Sequence, residues 1–196
     1  MAKYLVKEEL GGPRWEDGVF YPGGTIFNEL PPVPVTAAKL GSTAPTLATF
    51  IGNIEQYTFD ATNDYVIGAT EVVHWYKEGT DIHPHVHWAT NGLEEANKGV
   101  KWQLEYSIGN MDGAFGSAVT ISAETTILAN TTDRTHMYTT FVEDISGTGV
   151  LIGSLIVFKL SRIAAVGDAP AADPFGLGVG FHAEMDTTGS KEEITK

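Results

Sequence analysis

In the segment Lys101-Trp102-Gln103-Leu104-Glu105-Tyr106-Ser107-Ile108, every second residue is apolar. This period of two places alternate side chains on opposite faces of a β-strand, so the four apolar residues are predicted to share one buried face. Further strand candidates, separated by turn-forming residues, lie at 56–59, 70–76, 118–128, 135–142, 150–163 and 177–185.

These segments predict an all-β chain without a long amphipathic helix. About eight strands spaced by Gly-rich turns favour a jelly-roll-like β-sandwich or barrel. Gly176, Gly178 and Gly180 alternate around the start of the last candidate, which indicates a strand that another group approaches closely. The segment 150–160 is apolar on both faces, which is typical of a covered central strand or of a strand whose outer face meets a partner subunit.

Composition excludes several classes of protein. The chain has 196 residues, a net charge of -13 and no Cys. Disulfides, thiolate zinc sites, iron–sulfur clusters and a Cys nucleophile are therefore excluded. The acidic balance argues against binding duplex DNA, because phosphate contacts need Lys and Arg. No run typical of a signal peptide or a membrane helix occurs, so we expect a protein made in the cytoplasm without a membrane partner.

The two ends of the chain differ from its middle. Residues 1–45 are rich in Pro and Gly yet carry Trp15, Phe20 and Tyr21. Pro and Gly at this density break helices and central strands, whereas a purely solvated linker would not need aromatic residues. We therefore predict an extended N-terminal arm over 1–45 that lies along another surface, and a β-sandwich body over 46–196 that ends in a short polar tail.

The densest group of chemically active side chains lies in Gly79-Thr80-Asp81-Ile82-His83-Pro84-His85-Val86-His87-Trp88. In a strand, His83, His85 and His87 share one face, with neighbouring Cα atoms about 6.5–7 Å apart. Two imidazoles at this spacing can converge on one Zn, Fe or Ni ion. The alternative is a row of surface or interface histidines without a metal. Pro84 has no N–H, which predicts a sheet edge or a bulge. Candidates for further ligands are His74, His136, His182, Asp81, Glu105 and Glu184.

Gly79 followed by His85-Val86-His87 resembles the first motif of the cupins, which are metal-binding β-barrels. The resemblance implies a metal-dependent enzyme that uses His85 and His87. The Glu of that motif is missing here. Pro174-Phe175-Gly176 resembles the second motif, but Val179 stands where its His belongs.

Two segments, His83-x-His85-x-His87-Trp88 and Phe181-His182-x-x-x-Asp186-Thr187-x-Gly189-Ser190, resemble small structural proteins of tailed-bacteriophage virions. The resemblance implies a non-enzymatic jelly-roll protein of the virion, either a capsid decoration protein or a head- or tail-associated protein. It implies other virion proteins as partners and a homo-oligomer, for which a trimer is favoured. Two histidines from each of three chains would supply six nitrogens, an octahedral set for a transition ion at the subunit interface.

A carbohydrate-binding module for host attachment is a third hypothesis. Trp75, Trp88 and Trp102 can form a platform on which sugar rings stack, although core packing is the commoner fate of a strand Trp.

Overall fold

A computed structural model describes residues 14–15, 19–20, 26–62 and 64–190. Within these ranges the regular structure consists of strands and one 3₁₀ turn, Val35–Ala37. No helix within these ranges is long and apolar enough to cross a membrane. The strands are β1 Arg14–Trp15, β2 Val19–Phe20, β3 Ile26–Glu29, β4 Val33–Pro34, β5 Lys39–Leu40, β6 Thr46–Ile51, β7 Ile54–Thr58, β8 Tyr65–Glu71, β9 Ile82–Ala89, β10 Lys98–Gly109, β11 Val119–Ile127, β12 His136–Thr140, β13 Leu155–Ile163 and β14 Phe175–Met185.

Two antiparallel sheets pack face to face as a β-sandwich. The larger sheet has the order β12-β9-β14-β7-β6, and β3 and β4 also pair with β14. The smaller sheet has the order β11-β10-β13-β8-β5. Within β7–β14 the sheets run β7-β14-β9-β12 and β8-β13-β10-β11, so the chain crosses repeatedly from one sheet to the other. This is the strand order of an eight-stranded jelly roll, which confirms the predicted fold class.

The core lies between the sheets and follows the predicted alternation. Trp102 and Leu104 of β10 are fully buried, and Trp88 of β9 faces them from the other sheet. The rings of Phe59 and Trp102 meet edge to face with centroids 5.2 Å apart. The indole N–H of Trp88 donates to Thr139 Oγ1 over 2.8 Å, so this buried donor is satisfied.

The prediction that Pro84 marks a sheet edge or a bulge is wrong on both counts. Strand β9 lies between β12 and β14, and Pro84 pairs in regular register with Phe181. The carbonyl of Pro84 accepts from the N–H of Phe141, just beyond the last residue of β12. In an antiparallel strand the nitrogen of a residue faces the same side as its carbonyl. The missing N–H of Pro84 therefore faces a place where the β12 ladder has already ended.

The segment 26–45 adds strands to both sheets of its own chain. Strands β3 and β4 pair with β14, and β5 pairs with β8. Leu30 and Val35 are fully buried in the core. The division of the chain at residue 45 stays a prediction. The aromatic residues predicted to anchor the arm, Trp15, Phe20 and Tyr21, have side chains outside the described part of the chain.

Candidate functional site

The larger sheet carries a histidine-rich outer face. Pro84, Val86 and Trp88 of β9 point into the core, so His83, His85 and His87 point outward, as the sequence predicts. Neighbouring strands place further side chains on the same side through their register with β9 and β14. We call this surface the histidine face, and its members are His83, His85, His87, His136, Tyr138, His182, Phe27 and Glu29. It holds five of the six histidines of the chain.

His85 is the centre of the histidine face. Its ring centroid lies 5.0 Å from that of His87, 4.5 Å from that of His182 and 4.8 Å from that of Tyr138. These neighbours cover it so fully that His85 is 1% exposed although it points away from the core. Its Nδ1 has no hydrogen-bond partner among the described residues.

Glu29 brings a carboxylate to two of the imidazoles. Its Oε2 lies 2.8 Å from His182 Nε2, and its Oε1 lies 3.5 Å from His85 Nε2. The same Oε1 accepts the backbone N–H of Phe181 over 2.7 Å, which holds the carboxylate against β14. One ligand atom from each of Glu29, His85 and His182 lies within 4.8 Å of the other two. These three residues therefore form a compact set of metal-ligand types.

The other histidines of the face form separate pairs. His83 Nδ1 donates to Asp144 Oδ1 over 2.6 Å, and its ring meets that of Phe27 edge to face at 5.2 Å. His87 Nδ1 and His136 Nε2 share a hydrogen bond of 2.9 Å. An open depression lies between β3 and the start of β9 and is lined by Phe27, Asn28, Glu29, His83 and His182.

Burial controls the protonation of the central rings. Burial is the main reason why the pKa of His85 is lowered to about 4, and the neighbouring His182 and His87 contribute to the lowering because positive charges would repel. Burial also lowers the pKa of His87, with His136 as the next cause. Burial raises the pKa of Tyr138, and the carboxylate of Glu29 acts in the same direction. His85 is consequently a neutral imidazole at neutral pH.

The structure combines the predicted metal-binding residues differently from the sequence analysis. His85 meets His182 and Glu29, whereas His83 turns to Asp144 and His87 to His136. Of the other candidates, His74 contacts Ser190, Glu184 pairs with Lys77, Glu105 pairs with Lys159, and Asp81 accepts from Gly147. The proposal of a Zn, Fe or Ni ion held by His83, His85 and His87 stays a prediction.

Sequence reasoning missed Glu29. Its polar side chain sits in Ile26-Phe27-Asn28-Glu29, inside the segment assigned to the arm. Apolar and polar residues do not alternate there, and no local signal shows that β3 pairs with β14 so that Glu29 faces His182. Only the assembled sheet brings them together.

The cupin-like site and the tryptophan platform for sugars each require a geometry that differs from the one observed. His85 and His87 lie on an outer sheet face, whereas a cupin-like site would place them inside a barrel. Trp88 and Trp102 are buried in the core and offer no platform to a sugar, and Trp75 is half-buried.

Comparisons with known proteins find similarity only among solved structures. No protein-family model matches the chain, and no curated protein matches it. A crystal structure of the CBM36-1 domain of a multidomain xylanase from the hindgut metagenome of Trinervitermes trinervoides is similar, with a TM-score of 0.39 and 12% sequence identity. The alignment covers 81% of this chain and 96% of that domain.

Proposed function

We propose that this chain is a non-enzymatic structural protein of a tailed-bacteriophage virion that assembles with copies of itself. The observation that carries the proposal is the histidine face. The chemically active side chains lie together on an outer sheet face around an open depression, whereas small-molecule sites are usually clefts that enclose most of the ligand. An outer sheet face of this kind suits contact with another protein surface.

Exposed apolar side chains elsewhere support self-association. Strand β6 is an edge strand, and Leu47, Ile51 and Ile54 of the β6–β7 hairpin are all exposed. An unpaired, apolar edge is a template for pairing with another chain. On the smaller sheet, Leu155 and Ile67 are exposed on the outer sides of β13 and β8. The exposed Leu155 supports the interpretation that the outer side of β13, which also carries Lys159, meets a partner.

The placement of the two phage-like segments also supports the proposal. One forms β9 and the other lies at the end of β14, and these strands are neighbours in which His83 pairs with His182. The resemblance therefore rests on two distant stretches of sequence that build one surface. Other virion proteins would bind to this surface or to the apolar edge.

Mass measurement of the full chain in native buffer tests the assembly role. We expect a homo-oligomer, with a trimer favoured, and we expect Ile54→Lys to reduce its mass by placing a charge on the edge hairpin. The matched control is Val166→Lys, because Val166 is 91% exposed and lies outside the hairpin. Peptides of the chain in purified phage particles would support the virion role. A monomer at high concentration, together with absence from particles, would overturn the proposal.

A carbohydrate-binding role is the second candidate, favoured by two exposed rings. Tyr138 is 42% exposed and Phe27 is 52% exposed, and both flank imidazoles and the Glu29 carboxylate. Aromatic faces beside polar groups suit sugar rings. Retardation in gels containing polysaccharides would reveal binding, and Tyr138→Ala should abolish it. Phe115→Ala is the control, because Phe115 is similarly exposed and packs against Gly109, outside the histidine face. Unchanged migration of the wild type with every polysaccharide would reject this candidate.

A further inference from the structure

Three side chains from three neighbouring strands converge on the histidine face. Glu29 comes from β3, His182 from β14 and His85 from β9, and one ligand atom of each lies within 4.8 Å of the others. We propose that Glu29, His85 and His182 form a site for one divalent first-row transition-metal ion such as Zn²⁺. The site lies within a single chain, so it does not depend on the proposed virion role.

Gly180 makes the convergence possible. It pairs with His85 across the β9–β14 ladder. A Cβ atom at this position would lie 2.1 Å from Glu29 Oε1 and 2.3 Å from His85 Nε2. The carboxylate and the imidazole thus occupy the space that any other residue would fill. Without this glycine, the two donors could not meet above the strand.

The distances between the donors suit a single ion. Zn²⁺ binds His nitrogen and carboxylate oxygen at about 2.0–2.2 Å, so two donors of a tetrahedral ion are about 3.4 Å apart. The separations of 2.8 Å between Glu29 Oε2 and His182 Nε2 and of 3.5 Å between Glu29 Oε1 and His85 Nε2 lie on either side of that value, so each carboxylate oxygen faces one of the two rings. Small rotations of the two less buried side chains, Glu29 and His182, would bring all three donors to coordination distance.

The chemistry of the three donors agrees with a transition metal. Imidazole nitrogens suit Zn, Cu, Fe and Ni, and one carboxylate supplies negative charge to the ion. Oxygen-only sets, which Ca²⁺ and Mg²⁺ prefer, are not what this cluster offers. His182 and Glu29 are only partly buried, so the outward side of the site is open to water or to a further ligand.

The burial of His85 fixes the position of one donor. Its ring is 1% exposed although it points outward from the sheet, and its Nε2 faces the Glu29 carboxylate over 3.5 Å. A ring that is locked by its neighbours presents its nitrogen in one direction, which is what a metal ligand requires.

Metal uptake by the untagged full chain tests the site. The protein is first treated with EDTA and desalted. It is then titrated with Zn²⁺ by calorimetry and with Co²⁺ by visible absorption, which reports the ligands of the ion. We expect one ion per chain. Glu29→Gln and His182→Gln should each weaken binding by roughly tenfold or more, since loss of supporting groups alone costs about 10–100-fold.

Two matched controls separate this site from the histidine face as a whole. His83→Gln and His136→Gln remove exposed-face imidazoles that pair with Asp144 and His87 instead. Both should bind Zn²⁺ with the affinity of the wild type, because neither imidazole belongs to the three-residue set. Near-UV circular dichroism checks the fold of all four variants, and each loss of binding is read only from variants with the wild-type spectrum.

Three results would overturn the proposal. The first is a wild-type chain that takes up no ion at micromolar Zn²⁺. The second is a Zn²⁺ affinity in both Glu29→Gln and His182→Gln equal to that of the wild type. The third is a loss of Zn²⁺ affinity in His83→Gln and His136→Gln equal to that in Glu29→Gln and His182→Gln. This result would assign the ion to the histidine face as a whole. None of these results depends on the oligomeric mass of the protein. The test of the metal site is therefore separate from the test of the virion role.

Discussion

Acid should destabilise this protein through His85 before its carboxylates titrate. The folded structure lowers the pKa of His85 from 6.5 to about 4, mainly by burial. The unfolded chain therefore takes up a proton near pH 6.5 that the folded chain refuses until about pH 4. Each pH unit between the two values is worth about 1.4 kcal/mol, so the free energy of unfolding should fall by about 3 kcal/mol across this window. The lowered pKa of His87 acts in the same direction.

Urea unfolding at several pH values between 7.5 and 4.5 measures this loss. Trp88 and Trp102 lie in the core and report unfolding by fluorescence. EDTA is present throughout, so that no metal protects the ring. His85→Gln keeps a polar side chain of similar size but removes the titrating group. The free energy of unfolding of this variant should change far less between pH 6.5 and 4.5 than that of the wild type. The control is His74→Gln, because His74 contacts Ser190 and not the histidine face.

The free energy of unfolding should fall, and not rise, as the pH is lowered from 6.5 toward 4. Above pH 6.5 the contribution of His85 is fully present, and it decreases as the pH falls toward 4. Equal pH dependence in the wild type and in His85→Gln would refute it. A wild-type protein that becomes more stable between pH 6.5 and 4.5 would also refute it, and would mean that Glu29 stabilises a charged His85 more than burial opposes it.

Three further predictions concern stability and are measured by chemical denaturation. Gly180→Ala should cost about 1–3 kcal/mol because the new Cβ overlaps Glu29 and His85, whereas Gly189→Ala, which has open space around it, should change stability little. A wild-type-like Gly180→Ala would show that the two side chains yield freely. Thr139→Val should cost about 1–3 kcal/mol by leaving the buried indole N–H of Trp88 without its acceptor, and the exposed Thr140→Val is its control. Equal stabilities of these two variants would contradict this. A chain starting at residue 46 should be less stable than one starting at residue 26 by about 3–6 kcal/mol, because Leu30 and Val35 are each fully buried. If the two truncated chains unfold at the same urea concentration, the described segment 26–45 contributes nothing to the fold.

The strands that sequence analysis identified correctly are those with one buried and one outer face. In β10 the predicted face of Trp102, Leu104 and Tyr106 is buried. The candidate at 70–76 was misplaced, because β8 spans Tyr65–Glu71. Gly68 weakens the strand signal there, and in the structure it lies under the ring of Phe158, where a Cβ would come within 2.5 Å. A glycine that packing requires is therefore indistinguishable, in sequence, from a glycine that ends a strand.

The candidate site could be predicted only in part, for a related reason. The period of two shows that His83, His85 and His87 share a face, because that follows from the geometry of one strand. Which strands lie beside it depends on pairing over long sequence distances. His182 pairs with His83 and also with Glu29, which is more than 150 residues away, and no local pattern encodes either pairing.

The position of Glu29 couples the N-terminal segment to the site. The carboxylate reaches His85 and His182 only while β3 is paired with β14, since its Oε1 also accepts the N–H of Phe181 in that strand. A ligand that binds the paired state alone stabilises it by an amount that grows with the ratio of its concentration to its dissociation constant. Occupation of the site would therefore strengthen the attachment of β3 to the sandwich, and loss of β3 would dismantle the site while leaving both imidazoles in place.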